Sequence, residues 1–131
     1  MPTQYVVDID NHIVRTRFSG LVTHHDVADH AARLHGDPAF DPQFSELVTF
    51  GENPDIQLGY LDWQSLADRD PFSSSSKRAF VVQPRCAVYG VVRMCQIARN
   101  HPANICIFET LEEALSWLSA PASLCSGERT G

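Results

Sequence analysis

Residues 86–100 read CAVYGVVRMCQIARN, and their pattern predicts one α-helix over the whole stretch. Apolar side chains at helical spacing cover more than half of its circumference, whereas the buried stripe of an ordinary surface helix is narrower. The clearly polar side chains are confined to one ridge, which comprises Tyr89, Arg93, Gln96 and Asn100. We therefore expect this helix to bury one side on a sheet and a flank against a second element.

The segments on both sides of this helix are predicted strands. Residues 78–82 and 104–108 are short apolar runs, typical of the central strands of a parallel sheet. Toward the N-terminus, residues 5–9 and 12–18 predict a hairpin, and residues 46–50 predict a further strand. In the second strand of the hairpin, Val14, Thr16 and Phe18 share one face and Arg15 and Arg17 share the other. The remaining predicted helices cover residues 23–36, 58–68 and 110–118.

The resulting order, ββαβαβαβα, predicts the fold class. Strands that alternate with helices require an α/β fold with a mixed, mostly parallel sheet, and the N-terminal hairpin supplies its antiparallel part. The helices are expected to pack on this sheet. Residues 1–120 form one predicted domain, and the polar residues 121–131 form a predicted flexible tail.

Composition limits the classes of partner. The 10 Lys and Arg residues against 16 Asp and Glu residues give a net charge of −6, which argues against non-specific binding to nucleic acid or to an anionic membrane. No apolar run approaches the length of a membrane span, and residues 1–4 show no secretion signal. We therefore predict a cytoplasmic protein. Its four cysteines lack metal-binding spacing, and we expect reduced and mostly buried thiols.

Two short motifs resemble the SpoIIAA-like family of small bacterial proteins, which have the STAS-like fold. The first is Ala87-x-Tyr89-Gly90-x-x-Arg93-Met94 in the central helix. The second spans Ile105 to Leu118, where a strand ends in Phe and the next helix carries Glu-Glu-Ala-Leu-x-Trp-Leu. The element order is similar as well, so the resemblance covers residues 5–118 and implies a STAS/SEC14-type domain.

The resemblance does not extend to the phosphorylation switch of anti-sigma factor antagonists. Those proteins carry a phosphorylatable Ser where a strand meets the second helix. Here residues 51–59 contain no Ser or Thr, and the first one after them is Ser65, within a predicted helix. The leading hypothesis is a non-enzymatic STAS-like interaction or regulatory module that forms a homodimer through its helical surface. A small-ligand or lipid-binding protein, which would need an apolar pocket, is the alternative, and an enzyme of unknown reaction is the third hypothesis.

Chemically reactive residues give weaker hypotheses. His24, His25 and His30 lie close to Asp26 and Asp29, yet a solvated helix face explains this cluster better than a metal site, so we predict no metal. Cys86 near a helix N-terminus beside a cation could be activated, but a structural thiol is the simpler interpretation. The glycine-rich nucleotide motifs and the nucleophile-elbow motif are missing. The sequence therefore predicts no catalytic residue and no cofactor.

The central helix provides the candidate binding site for a protein partner or for a small apolar or anionic ligand. Arg93 offers a cation, and Tyr89 combines an apolar ring with a polar tip. Gly90 permits close approach of a backbone or ligand, and Met94 packs adaptably. The opposing interpretation is that Met94 and Ile97 complete the core while Arg93 pairs with a carboxylate. The predicted site therefore comprises Tyr89, Gly90, Arg93, Met94 and Ile97.

Overall fold

The computed structural model describes residues 3–51, 53–73, 75–98 and 104–120, which form a layered α/β structure. Its helices are α1 (His24–His35), α2 (Tyr60–Ala67), α3 (Tyr89–Ala98) and α4 (Leu111–Ser119). Its strands are β1 (Thr3–Asp8), β2 (Ile13–Phe18), β3 (Leu21–Val22), β4 (Ser45–Phe50), β5 (Asp55–Ile56), β6 (Arg78–Val81) and β7 (Ile105–Phe108). The predicted tail, residues 121–131, lies outside the described residues.

Five strands form the main sheet in the order β1-β2-β4-β6-β7. The hairpin partner β1 is antiparallel to β2, and the remaining three neighbouring pairs of this sheet are parallel. The predicted α/β class and the mixed sheet are therefore confirmed. Apart from β3 and β5, two-residue strands that the sequence did not reveal, the elements follow one another in the predicted order.

The two faces of the sheet carry separate cores because successive strand residues point to opposite sides. One core is formed with α2 and α3 and includes Phe18, Val48 and Phe80. The other is formed with α4 and includes Leu47, Ala79 and Trp117. The sheet is therefore the middle layer of three. The face that carries Val14, Thr16 and Phe18 is buried.

The central helix is shorter than its sequence pattern predicted. Cys86 N donates to Gln83 O and Tyr89 N donates to Cys86 O, so two tight turns precede the first helical residue. Helical i→i−4 bonding begins only with Val92 N and Val88 O, 3.0 Å apart. The predicted start at Cys86 is therefore wrong, and Cys86 does not lie at the N-terminus of α3. The predicted end at Asn100 lies outside the described residues.

The three cysteines within the described residues differ in redox state. Cys86 and Cys95 are free thiols, whereas Cys106 is disulfide-bonded. The expectation of reduced thiols is therefore wrong at Cys106. Disulfides seldom persist in a reducing compartment, so this bond does not support a cytoplasmic location, which stays a prediction. Within the described residues, no helix has the length and apolar character needed to cross a bilayer.

Candidate functional site

The residues selected from the sequence lie on α3, and the helix divides them between solvent and core. Gly90 and Arg93 are exposed, and Ile97 retains 64% of its accessible surface. Tyr89 and Met94 are half-buried and pack against the core that α3 shares with the sheet. The α3 strip, defined as Gly90, Arg93 and Ile97, is therefore open to solvent.

The environment of the α3 strip bears on the two interpretations of this helix, a binding surface or a part of the core. Ile97 does not complete the core, because most of its surface is in solvent. Arg93 forms no ion pair with a carboxylate of the described residues. A Cβ placed on Gly90 would have no neighbouring atom within 4 Å, so none of the described residues occupies the space beside it. A binding role for these residues stays a prediction.

Gln96 has a structural role on the predicted polar ridge. Its Nε2 donates to Ile105 O at 2.6 Å, which ties α3 to the neighbouring strand β7. The backbone carbonyl at the start of β7 thus receives a side-chain donor from the helix. Gln96 is therefore engaged within the chain, and we do not include it in the α3 strip.

A second cluster of polar residues lies in the interior, where the sequence analysis placed none. The parallel register sets Glu46 of β4 beside Arg78 of β6, with both side chains directed to the face that α1, α2 and α3 cover. Thr16 on β2 and His30 on α1 reach the same region. Thr16, His30 and Glu46 are all buried. We call Thr16, His30, Glu46, Asp70 and Arg78 the buried polar cluster.

Glu46 accepts hydrogen bonds on both of its carboxylate oxygens. Thr16 Oγ1 donates to Oε2 at 2.7 Å, and His30 Nε2 lies 3.0 Å from the same oxygen. Arg78 Nε donates to Oε1 at 2.6 Å. Because an ionised carboxylate only accepts, His30 Nε2 must carry a hydrogen, and in the neutral imidazole ring Nδ1 is then an acceptor.

The remaining nitrogens of Arg78 bind Asp70, which follows α2. The two contacts, Nη2 to Oδ1 at 3.1 Å and Nη1 to Oδ2 at 3.3 Å, give the two-pronged geometry favoured by guanidinium and carboxylate groups. Arg78 therefore bridges a carboxylate on the sheet to a carboxylate on the loop after α2. The bridge fixes that loop over the buried polar cluster.

The pKa values of Glu46 and Arg78 depart from their ordinary ranges. Burial alone would raise the pKa of Glu46, but the Arg78 guanidinium and the hydrogen bonds from His30 and Thr16 outweigh it and hold that pKa far below its usual range. Burial would lower the pKa of Arg78, but Asp70 and Glu46 raise it above its ordinary value. Glu46 and Arg78 are therefore both charged inside the protein.

A cavity lies beside this cluster, between α1, α2 and the sheet. Its volume is about 60 Å³, and its lining is mainly apolar. His30, Glu46, Asp70 and Arg78 supply its polar side, and Trp63, Leu66, Phe72 and Phe80 are among the residues of its apolar side. The combination of apolar walls and a few convergent polar groups is typical of small-molecule sites.

Two nitrogen atoms at this cavity have no hydrogen-bond partner in the described part of the chain. They are Nδ1 of His30, a residue only 5% exposed, and Nε1 of Trp63, a residue 8% exposed. Both side chains line the cavity. Since buried polar atoms are nearly always hydrogen-bonded, these two nitrogens are exceptions, and each exposes less than 1 Å² of surface, too little for a molecule in the cavity to reach it.

The residues of the predicted histidine cluster on α1 differ in exposure: some face solvent, and His30 is buried. Asp26 accepts bonds from Thr23 N and Oγ1 and caps α1, while His25 and Asp29 are exposed. His30 faces the sheet, so its predicted place on a solvated helix face is wrong. No group of three potential metal ligands occurs among the residues that the structure describes.

Sequence signals for the buried polar cluster existed but are ambiguous. His30 follows Val27 by three positions and precedes Leu34 by four, so helical spacing places it on the apolar stripe of α1. Glu46 and Arg78 each begin or nearly begin a buried strand, where a charged residue can equally well face solvent. Only the strand register shows that the two are neighbours.

Comparison with known proteins provides no further assignment. No family profile, curated protein or solved structure matches this chain significantly.

Proposed function

We propose that this chain is a STAS-like, non-enzymatic regulatory domain that binds a protein partner through the α3 strip. The element order and the motifs around Tyr89 and Trp117 support the STAS-like assignment. The observation that carries the interaction is the exposure of Ile97 beside Arg93, which forms no ion pair with the described residues, and Gly90, which none of those residues covers. A large apolar side chain next to a free cation is a frequent composition of the centre and rim of a protein interface.

A partner on the α3 strip would supply contacts that these residues do not make within the described part of the chain. Ile97 would bury its surface, Arg93 would meet a carboxylate, and the missing side chain at Gly90 would allow a partner helix to approach closely. A second copy of this chain is the simplest partner, because a homodimer needs about 800 Å² on each copy, which a helix face and its surroundings can supply. A phosphorylation switch receives no support, since Ser65 is the first Ser or Thr after residues 51–59 and lies within α2.

The test compares two exposed apolar residues on neighbouring helices, Ile97 on α3 and Leu61 on α2. We expect Ile97→Asp to weaken self-association at least about tenfold in sedimentation equilibrium, because it places a charge in the centre of the contact. Leu61→Asp on α2, at a residue 77% exposed, is the matched control and should leave the association unchanged. Equal effects of the two substitutions would contradict the proposed surface.

A monomeric wild-type protein would leave a different protein as the partner. A photoactivatable amino acid at position 97, expressed in the native host, should then form a defined protein adduct that the same residue at position 61 does not form. A monomer without an adduct at position 97 would refute the proposal.

The alternative, a small-ligand or lipid-binding protein, has one observation in its favour. The cavity of about 60 Å³ is far smaller than a lipid chain requires, but it has the composition of a site for a small molecule. A larger depression of about 370 Å³ on the opposite sheet face, lined in part by Val6, Arg15, Arg17 and Leu111, is open to solvent. The geometry therefore favours a small ligand over a lipid within this alternative.

A further inference from the structure

We propose that the cavity between α1, α2 and the sheet is a binding site for a small uncharged molecule with a hydrogen-bonding head and a short apolar body. The site is independent of the α3 strip, which lies on the solvent side of a different helix. Its evidence consists of the cavity itself, the two unpartnered nitrogens of residues that line it and the charge balance of the buried polar cluster.

The size of the ligand follows from the volume. One water molecule needs about 10–15 Å³ of cavity volume, so about 60 Å³ holds about four to six water-sized groups. A molecule of about four to six non-hydrogen atoms fits that space. The apolar walls, which include Leu34, Leu66 and Phe80, favour a carbon skeleton over a chain of water molecules.

The absence of charge follows from the pairing within the cluster. Both oxygens of Glu46 and both oxygens of Asp70 accept bonds from described donors, so no carboxylate is left for a cation. Arg78 is committed to these two carboxylates, so it is not available to an anion. A charged ligand would lose its hydration without gaining a counter-charge, which is costly in a buried site.

The hydrogen-bonding head follows from the unpartnered nitrogens. Trp63 Nε1 is a donor only, and His30 Nδ1 in the neutral ring is an acceptor, because its Nε2 hydrogen is directed to Glu46. Neither nitrogen is open to the cavity in this structure, so binding must be accompanied by a small rotation of the Trp63 or His30 ring that brings its nitrogen to the cavity surface. A primary amide has one acceptor oxygen and two N–H donors, so it can then satisfy either nitrogen or both. We therefore expect a short amide, or a molecule with an equivalent donor and acceptor pair, to be the preferred chemical class.

The test uses three probes of nearly equal size and different charge: propionamide, propionate and propylammonium. Titration of the protein with propionamide should shift the indole N–H signal of Trp63 in ¹H–¹⁵N NMR spectra, while the signal of Trp117 stays unchanged. The two tryptophans are the only ones in the chain, so each signal can be assigned from a single Trp→Phe variant. Propionate and propylammonium should produce no saturable shift.

Two variants test the site itself. Trp63→Phe removes the donor and should raise the Kd for propionamide about tenfold, as followed by the NMR signals of residues around the cavity. Trp117→Phe, on the opposite sheet face, should leave that Kd unchanged. Ala31→Leu adds three carbon atoms to a lining residue and should abolish binding by filling the cavity.

Three outcomes would overturn the proposal. One is a crystal structure in which ordered waters alone occupy the cavity in the presence of saturating propionamide. Another is equal binding of the charged probes. The third is an unchanged Kd in Trp63→Phe, a substitution that preserves an aromatic ring and remains informative even if Ala31→Leu fails to fold.

Discussion

Glu46 is the residue at which burial and charge compete most directly. A carboxylate that is 5% exposed would normally become neutral, since removing a charge from water is costly. Here Arg78, His30 and Thr16 together provide three donors, so the charged form is the stable one. A buried ion pair of this kind adds little to the stability of the folded protein compared with an apolar pair of equal size. Removal of one partner nevertheless destabilises the protein, because it leaves a buried charge uncompensated.

Glu46→Gln should therefore lower the free energy of unfolding by about 3 kcal/mol at pH 7. The pKa of Glu46 is depressed in the folded state and has its ordinary value of 4.5 when unfolded, so its ionised form stabilises the protein fully above that value. This stabilisation is lost as the pH falls below about 4.5 toward the lower folded pKa. The difference between wild type and Glu46→Gln should thus be constant near neutral pH and shrink in acid.

Urea denaturation between pH 3 and pH 7 measures this difference. Glu109→Gln, at an exposed position, is the matched control and should follow the wild type within about 0.5 kcal/mol at every pH. A loss in Glu46→Gln that is the same at pH 3 and at pH 7 would contradict the assigned charge of Glu46.

Individual residues of the two sites differ in how well the sequence predicted them. The α3 strip was predictable only as one of two alternatives, because the same helical spacing also allowed Ile97 to complete the core. Glu46 and Arg78 were not predictable, because their contact depends on which strands are neighbours and on the register between them. A side chain's partner across a parallel sheet is a property of the tertiary structure, and no local pattern encodes it.

At the scale of elements, α4 is the single helix that covers its face of the sheet in the described part of the chain. Its N-terminus follows the predicted capping pattern, with Glu113 N donating to Thr110 Oγ1 at 3.2 Å. Its C-terminal end is held by Lys77 Nζ, which donates to the carbonyl oxygens of Trp117 and Ala120. The same ammonium lies 5.0 Å from the centre of the Trp117 ring.

Lys77→Met should lower the free energy of unfolding by about 1–2 kcal/mol, since it removes the donor and the cation at the negative end of the helix dipole but keeps an apolar stem. Thermal or urea unfolding measures this loss. Lys77→Arg retains a cationic donor and should recover at least half of it. A Lys77→Met protein as stable as the wild type would show that these contacts do not hold α4.

Element boundaries show where sequence patterns stop being informative. The capping residues Thr23 and Thr110 identified the starts of α1 and α4, because the capping signal is local. The start of α3 was misplaced by three residues, since residues 86–88 are apolar enough for a helix but adopt turns after β6. The strands β3 and β5 were missed because each has two residues and exists only through pairing with the other.

At the scale of the whole molecule, one sheet separates two cores, and the described helices cover its two faces unequally. Described helices α1, α2 and α3 cover one face, and α4 covers part of the other, next to the open depression lined by Arg15 and Arg17. The sequence predicted the α/β class because alternation of strands and helices is sufficient for it. It did not predict how the helices divide between the faces, which depends on the direction of each crossover.

The shared sheet should make the two cores unfold together, and the two tryptophans can test this. Trp63 lies in the core with α2 and α3, and Trp117 lies in the core with α4, so each reports on one face. In Trp117→Phe the fluorescence follows the first core, and in Trp63→Phe it follows the second. Each variant also replaces an indole nitrogen that has no described partner, so neither substitution breaks a described hydrogen bond.

We expect the fluorescence midpoint of each variant in urea to coincide with the midpoint of its own far-UV circular dichroism, because β4 and β6 contribute residues to both cores. The slope of the free energy against urea should also be the same for both variants, since the same surface becomes exposed. A fluorescence transition in Trp63→Phe that precedes its loss of circular dichroism would mean that α4 detaches independently. Such detachment would contradict one cooperative domain, because the exposed side chains of Leu47, Ala79 and Phe108 would then coexist with an intact core on the other face.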